Sequence, residues 1–185
     1  MKNTITTLIL LLFLSPAALA ADDGIGHCFE AELTNAAKQK CMTKYVDKYE
    51  NAITVIENDI TDMIIHNKYI DLPQYSDTKD QSKNRQRHNY LESQLANEKK
   101  LIIDGGMTLK KDFILFKSYE LQKQYALTQM QLSTEIFNKY KEAECERIKS
   151  KYTLEKYQAV ADFHKNLCLY KLMKERIESL QDSVQ

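Results

Sequence analysis

Residues 41–63 read CMTKYVDKYENAITVIENDITDM, and the spacing of their apolar side chains decides the fold class. Tyr45, Tyr49, Ala52, Ile56, Ile60 and Met63 follow one another at steps of four, three, four, four and three residues. Steps alternating between three and four keep side chains on one face of an α-helix, whereas a strand needs steps of two. The spacing predicts a long helix that starts just after Cys28 and stops before Pro73, with Asp22 to His27 as a loose lead-in.

Working outward, the segment from Asp71 to Asn84 is polar, contains Pro73, Ser76, Asp77 and Asp80, and reads as a loop. Leu91, Leu95 and Ile102 form the sparse apolar face of a shorter helix that ends at Asp104-Gly105-Gly106. Two adjacent glycines suit a helix end or a sharp bend, because both reach positive φ freely. Thr108 is placed to cap a third helix from about Leu109 towards Ser150. Its inner side is expected to carry Phe113, Phe116, Leu121, Tyr125, Leu132, Ile136, Tyr140 and Ala143. A last helix, capped by Thr153, shows Leu154, Tyr157, Ala161, His164, Cys168 and Leu172 at helical spacing. Only four Gly and two Pro occur in the chain, so long helices run without punctuation. The expected fold is all-α: three to four long antiparallel helices in a bundle stapled by two disulfides.

Upstream, Lys2 precedes an apolar run from Ile5 through Leu14, then Ser15-Pro16 and a small-residue stretch ending Ala18-Leu19-Ala20. This is the pattern of a signal peptide, residues 1–20, cut after Ala20. The apolar run is too short for a transmembrane helix of ~20 residues. Cys28 lies too far beyond the cut to serve as a lipoprotein cysteine. Residues 21–185 are expected to form a single disulfide-linked helical domain, with an inserted loop and short helix at about 71–106. The predicted location is the periplasm or the exterior, with no membrane insertion once the signal is removed. Lys plus Arg balance Asp plus Glu at 26 each, so loss of Lys2 leaves the mature chain one unit negative. Such neutrality offers no electrostatic reason for a nucleic-acid partner.

Cys28, Cys41, Cys145 and Cys168 are an even set in an exported chain, which favours disulfides over thiol chemistry. Zinc sites and redox motifs use closely spaced pairs, and none is present. Three pairings are possible. On one helix, Cys28 and Cys41 would stand ~20 Å apart at 1.5 Å per residue, against a Cα separation of ~5.5 Å in a disulfide. They pair only if Cys28 precedes the helix and folds back. With a turn at 150–153, Cys145 and Cys168 are also out of level, although a turn moved to Lys156 brings them together. Matching levels across helices favours Cys28 with Cys145 and Cys41 with Cys168.

Residues that carry chemistry elsewhere are read here as structural. His27, His66, His88 and His164 lack ligand spacing, and His164 falls on the apolar stripe one turn before Cys168. Glu142 and Glu146 share a helix face, but Lys139, Lys141 and Lys149 beside them make them ordinary ion-pair partners rather than a glycosidase pair. No nucleophile elbow or phosphate loop occurs. The sequence therefore predicts no enzyme, no cofactor and no metal site.

The stretch Phe137-Asn-Lys-Tyr140-Lys-Glu-Ala-Glu-Cys145 resembles the signature of the LprI-type lysozyme inhibitor family of small exported helical proteins. Cys168-Leu169 followed by Arg176, Ile177 and Leu180 is similar to that family's closing helix, and Cys28, Ala31, Thr34, Asn35 and Cys41 to its first. The chain departs from the pattern at Phe137, where the family carries Trp, at Thr134, where it carries Gln, and at Thr54 and Glu57. The resemblance implies a binding or inhibitor protein that occludes a peptidoglycan-cleaving enzyme. Two other readings stand beside it: an immunity or exclusion protein against an incoming effector, and a structural component that binds partner helices. The segment 71–106 is the expected specificity element, with Arg85, Arg87, His88 and Tyr90 as candidate partner-binding residues; its plainer reading is a mobile surface excursion.

Overall fold

A computed structural model describes residues 24–68, 70–76, 80–152 and 158–183. These form five α-helices and no strand: α1 Asn35–Ile65, α2 Gln81–Ser93, α3 Glu98–Asp104, α4 Met107–Ser150 and α5 Gln158–Asp182. Short 3₁₀ turns occupy Ile25–Phe29 and Leu95–Asn97. The signal-peptide residues, the proposed cap Thr153, and Leu154 and Tyr157 lie outside the described residues, as does the side chain of Ile102.

The first helix starts later than its spacing suggests, because Thr34 caps it. The Thr34 hydroxyl accepts the Ala37 N–H at 3.2 Å and its carbonyl accepts that of Lys38 at 2.9 Å. The helix ends at Ile65 with Asn67 at φ 57°, the Lys68 N–H donating to the Met63 carbonyl and that of Asn67 to Ile64. This is a Schellman ending with asparagine in the glycine position. The buried stripe of α1 is Met42, Val46, Tyr49, Ile53, Ile60 and Ile64. It shares Tyr49 and Ile60 with the expected stripe but otherwise lies about one residue round the helix.

At the double glycine, neither residue takes positive φ. Gly105 is extended (φ −72°, ψ 138°), and a Cβ there would stand 2.4 Å from the Leu101 carbonyl oxygen, so only glycine fits. The Gly106 carbonyl accepts the Lys110 N–H, so α4 begins at Met107 and Thr108 lies inside it rather than capping it.

The described chain forms two compact units, residues 24–53 with 141–183, and residues 54–140; α1 and α4 each contribute a segment to both. In the first unit α1, the end of α4 and α5 pack together. Tyr49 meets Tyr170 edge-on at 5.0 Å, Asn166 donates to Thr43 and Lys141 donates to Glu50. In the second unit Tyr75, Leu91, Leu101, Phe113 and Phe116 form the core.

The disulfides correct the expected pairing. Cys28 joins Cys41 (Cα–Cα 5.6 Å) and Cys145 joins Cys168 (5.5 Å). Cys28 sits on the 3₁₀ turn ahead of α1, and residues 30–34 turn the chain back so that it reaches Cys41, which a single helix would forbid. On α4 and α5, Lys149 pairs with Asp162 and Glu146 with Lys165. Those pairs and the second disulfide set α4 and α5 in a register that puts Cys145 level with Cys168, which a turn at 150–153 would not. Level matching misplaced Cys145 against Cys168, although Cys41 and Cys168 do stand at similar heights: Thr43 and Asn166 are bonded, one turn or less from them. Two cysteines at one height still need their Cβ vectors to converge.

Candidate functional site

The segment read as an excursion is anchored on a buried polar network. Asp80 caps α2 by accepting the Lys83 N–H at 2.7 Å, and the first turns of that helix bury Asn84 and His88. Asn84 accepts the Tyr75 N–H at 3.0 Å and donates to the Pro73 carbonyl at 2.9 Å, which ties the preceding loop to the helix. Tyr75 and His88 meet through Oη and Nδ1 at 2.8 Å. The Tyr119 hydroxyl donates to Asn67 Oδ1 at 3.0 Å, which turns Asn67 Nδ2 towards His88 Nε2 at 3.4 Å. That orientation makes Nε2 an acceptor and puts the proton of a neutral imidazole on Nδ1, facing the Tyr75 oxygen.

Burial drives the titration of this cluster away from charge. The His88 pKa is lowered by desolvation, with Glu92 opposing and Lys123 and Arg85 reinforcing the shift. The Tyr119 hydroxyl is pushed up to about 12, first by burial and then by Glu120, and that of Tyr75 is also raised, first by burial and then by Tyr119, Glu120 and Asp112. Glu120 Oε1 is buried with no hydrogen-bond donor among the described residues, 3.9 Å from the Lys123 ammonium and 4.0 Å from His88 Nε2.

A second anchor is Asp112, 0% exposed on α4. One carboxylate oxygen accepts the Ser76 N–H at 2.8 Å and the other the Arg87 Nε–H at 2.9 Å. A buried carboxylate held by a guanidinium and a backbone amide is compensated, and it fixes loop 70–76, α2 and α4 to one another.

The four candidate partner-binding residues therefore divide. Arg85 and Tyr90 are exposed, Arg87 is half-buried against Asp112 with its guanidinium 5.8 Å from the Tyr90 ring, and His88 is 1% exposed. His88 cannot touch a partner in this conformation, and its role is to hold α2. Asp112, Tyr75, Asn84, Asn67 and Tyr119 were not foreseen. The one signal was the placement of Asp112 immediately before Phe113 and one turn before Phe116; the others look like ordinary loop and surface residues.

His27 stands beside the first disulfide, its Nε2 3.1 Å from Cys41 Sγ. His27, Cys28 and Cys41 would resemble a ligand set, but both sulfurs are joined to each other and offer no thiolate. Cys41 opens onto a groove of about 570 Å³ edged by Lys40, Lys44 and Lys48. His164 stacks on Tyr152 at 4.0 Å between centroids, a packed boundary histidine whose pKa burial lowers. Glu146 is bonded to Lys165, Lys149 to Asp162 and Lys141 to Glu50. The lysines next to Glu142 and Glu146 thus pair largely between helices, not along α4 as expected. Arg147 holds the Glu144 carboxyl below its ordinary range, and Lys165 does the same for Glu146.

No family model, curated protein or solved structure matches the chain.

Proposed function

We propose that this is an exported, non-enzymatic binding protein of the cell envelope that works by covering a protein partner, as the LprI-type resemblance implies for peptidoglycan-cleaving enzymes. The observation that supports this reading is the anchoring of loop 70–76 and α2. Two buried polar anchors, one at His88 and one at Asp112, hold α2 rigid and leave Arg85 and Tyr90 on its surface. Tyr and Arg are the residue types enriched at binding hot spots. Holding them in place beforehand removes an ordering cost that would otherwise reduce affinity. The two disulfides fit an oxidising compartment such as the periplasm.

The test is titration of the mature protein into lysozyme digesting cell walls. Inhibition that weakens at least ~10-fold, about 1.4 kcal/mol, in Tyr90→Ala is the expected outcome. No inhibition by the mature protein at about 100 μM, a hundredfold above a micromolar Kd, sinks the lysozyme reading. A second reading has its own support: a neutral chain with an exposed Arg85 is poorly suited to a basic lysozyme. That favours an immunity or exclusion protein acting through the same surface on an incoming effector. Protection of cells against the product of a neighbouring secreted-effector gene, lost in Tyr90→Ala, distinguishes it.

A further inference from the structure

Helix α4 is apolar on two opposite faces. Phe113, Phe116 and Tyr119 lie on the buried one. On the other, Ile114, Leu121, Tyr125, Leu132 and Ile136 are 68%, 65%, 66%, 45% and 57% exposed. At 3.6 residues per turn these five fall within an arc of roughly 60°. Leu121, Tyr125, Leu132, Ile136 and Tyr140, which the sequence pattern puts on the inner side with Phe113 and Phe116, are instead exposed.

The steps along this stripe are seven, four, seven and four. That is an eleven-residue repeat, 3.67 residues per turn, which keeps a stripe almost straight along a helix. Its middle, residues 124–134, reads QYALTQMQLST and contains no charged residue. The inner four side chains are also symmetric about the point between Thr128 and Gln129. Laid antiparallel on itself, the helix sets Leu121 against Ile136 and Tyr125 against Leu132, and the same contacts repeat in reverse. Reciprocal contacts of this kind are the mark of a two-fold, isologous interface.

We infer that the exposed face of α4 pairs with the same face of a second copy of this chain, antiparallel, about an axis at Thr128–Gln129. A foreign helix would ordinarily be selected by flanking charges or a polar residue in the seam. The uncharged centre supplies no such code, whereas self-pairing needs only the symmetry. From Ile114 to Ile136 is roughly 33 Å of helix, which over a width of ~10 Å gives a patch on the order of 330 Å². That reaches the size at which an apolar patch on a monomer usually has a role. It is well below the ~800 Å² per partner of a standard interface. The dimer should accordingly be weak and concentration-dependent, in the micromolar range or above.

Sedimentation equilibrium of the mature protein from about 0.1 to 500 μM, a range bracketing a Kd from micromolar upward, reads this out. The expected result is a mass that climbs from monomer to dimer with the wild-type chain. Leu132→Glu should weaken association at least tenfold, with helicity by circular dichroism unchanged because the site is exposed. Gln129→Cys, beside the axis, should yield an oxidised dimer that Lys110→Cys, far from it, does not. A monomer at every concentration overturns the inference. So does association that survives Leu132→Glu, or wild-type binding to anionic phospholipid vesicles through this stripe without self-association. The stripe excludes Arg85 and Tyr90, so a failed inhibition assay leaves this result standing, and the reverse.

Discussion

The two units of this chain solve the same problem with different chemistry. Residues 24–53 with 141–183 are closed by two disulfides and by ion pairs between helices. Residues 54–140 contain no cysteine and are closed by five core side chains and a buried hydrogen-bond network. A covalent staple acts mainly by restricting the unfolded chain and tolerates changes around it. A buried polar network acts in the folded state, and removing one member leaves the others desolvated and unpaired. The second unit should therefore be the more sensitive to single substitutions.

Asp112→Ala tests that most severely. It leaves the half-buried Arg87 guanidinium and the Ser76 N–H without their acceptor, at a position where Asp112 itself is fully buried. Breaking a buried charged pair from one side costs about 3–5 kcal/mol. Amide exchange should show α2 and loop 70–76 opening far more readily, with slow exchange preserved in α5. Uniform loss of protection across both units would remove the contrast.

The matched perturbation of the first unit is the joint change Cys145→Ser with Cys168→Ser. It opens a loop of 23 residues, for which the chain-entropy model gives about 3 kcal/mol. The urea midpoint of the first unit should fall while His88 stays protected and neutral by NMR. Replacing Cys28 and Cys41, which close 13 residues, should cost slightly less. Had the pairing run between Cys28 and Cys145, either double change would break both bridges and the two variants would be alike.

The helical class was legible because it depends on spacing alone, and the steps along α1 and α5 survive folding even where the buried stripe sits one residue away. The scarcity of Gly and Pro carried the same message. Pairing of the cysteines was not legible, because it depended on whether Cys28 lay inside or ahead of α1, and on the register of α4 against α5. Neither is encoded in periodicity. The exposed face of α4 was misassigned for a related reason: a helix apolar on two sides gives one mixed pattern, and only packing shows which side is covered. The network at His88 was the least legible. Asn67, Tyr75 and Asn84 are separated by 21 residues or fewer from His88 in sequence, yet their value comes from burial, which a polar loop conceals.

The smallest effect, and the one that reports directly on that network, is the response to acid. His88 is neutral in the folded state with its pKa lowered by burial, whereas in the unfolded chain it takes a proton near pH 6.5. Above pH 6.5 neither state is protonated and the second unit has its full stability. As pH falls below 6.5 the unfolded state binds the proton first, so stability drops, by at most about 1.4 kcal/mol per pH unit for one group. The loss stops growing once the folded-state pKa is passed. Protonation at Nε2 would face the Asn67 amide donor at 3.4 Å, which opposes it, and Glu120 Oε1 at 4.0 Å, which favours it. His164 shifts in the same direction, so the readout must be residue-specific: the His88 ring resonances followed by NMR from pH 7.5 to 4. A His88 that titrates at or above 6.5 would mean that Glu120 outweighs burial, and the network would then be an ion pair waiting for its proton instead of a neutral relay.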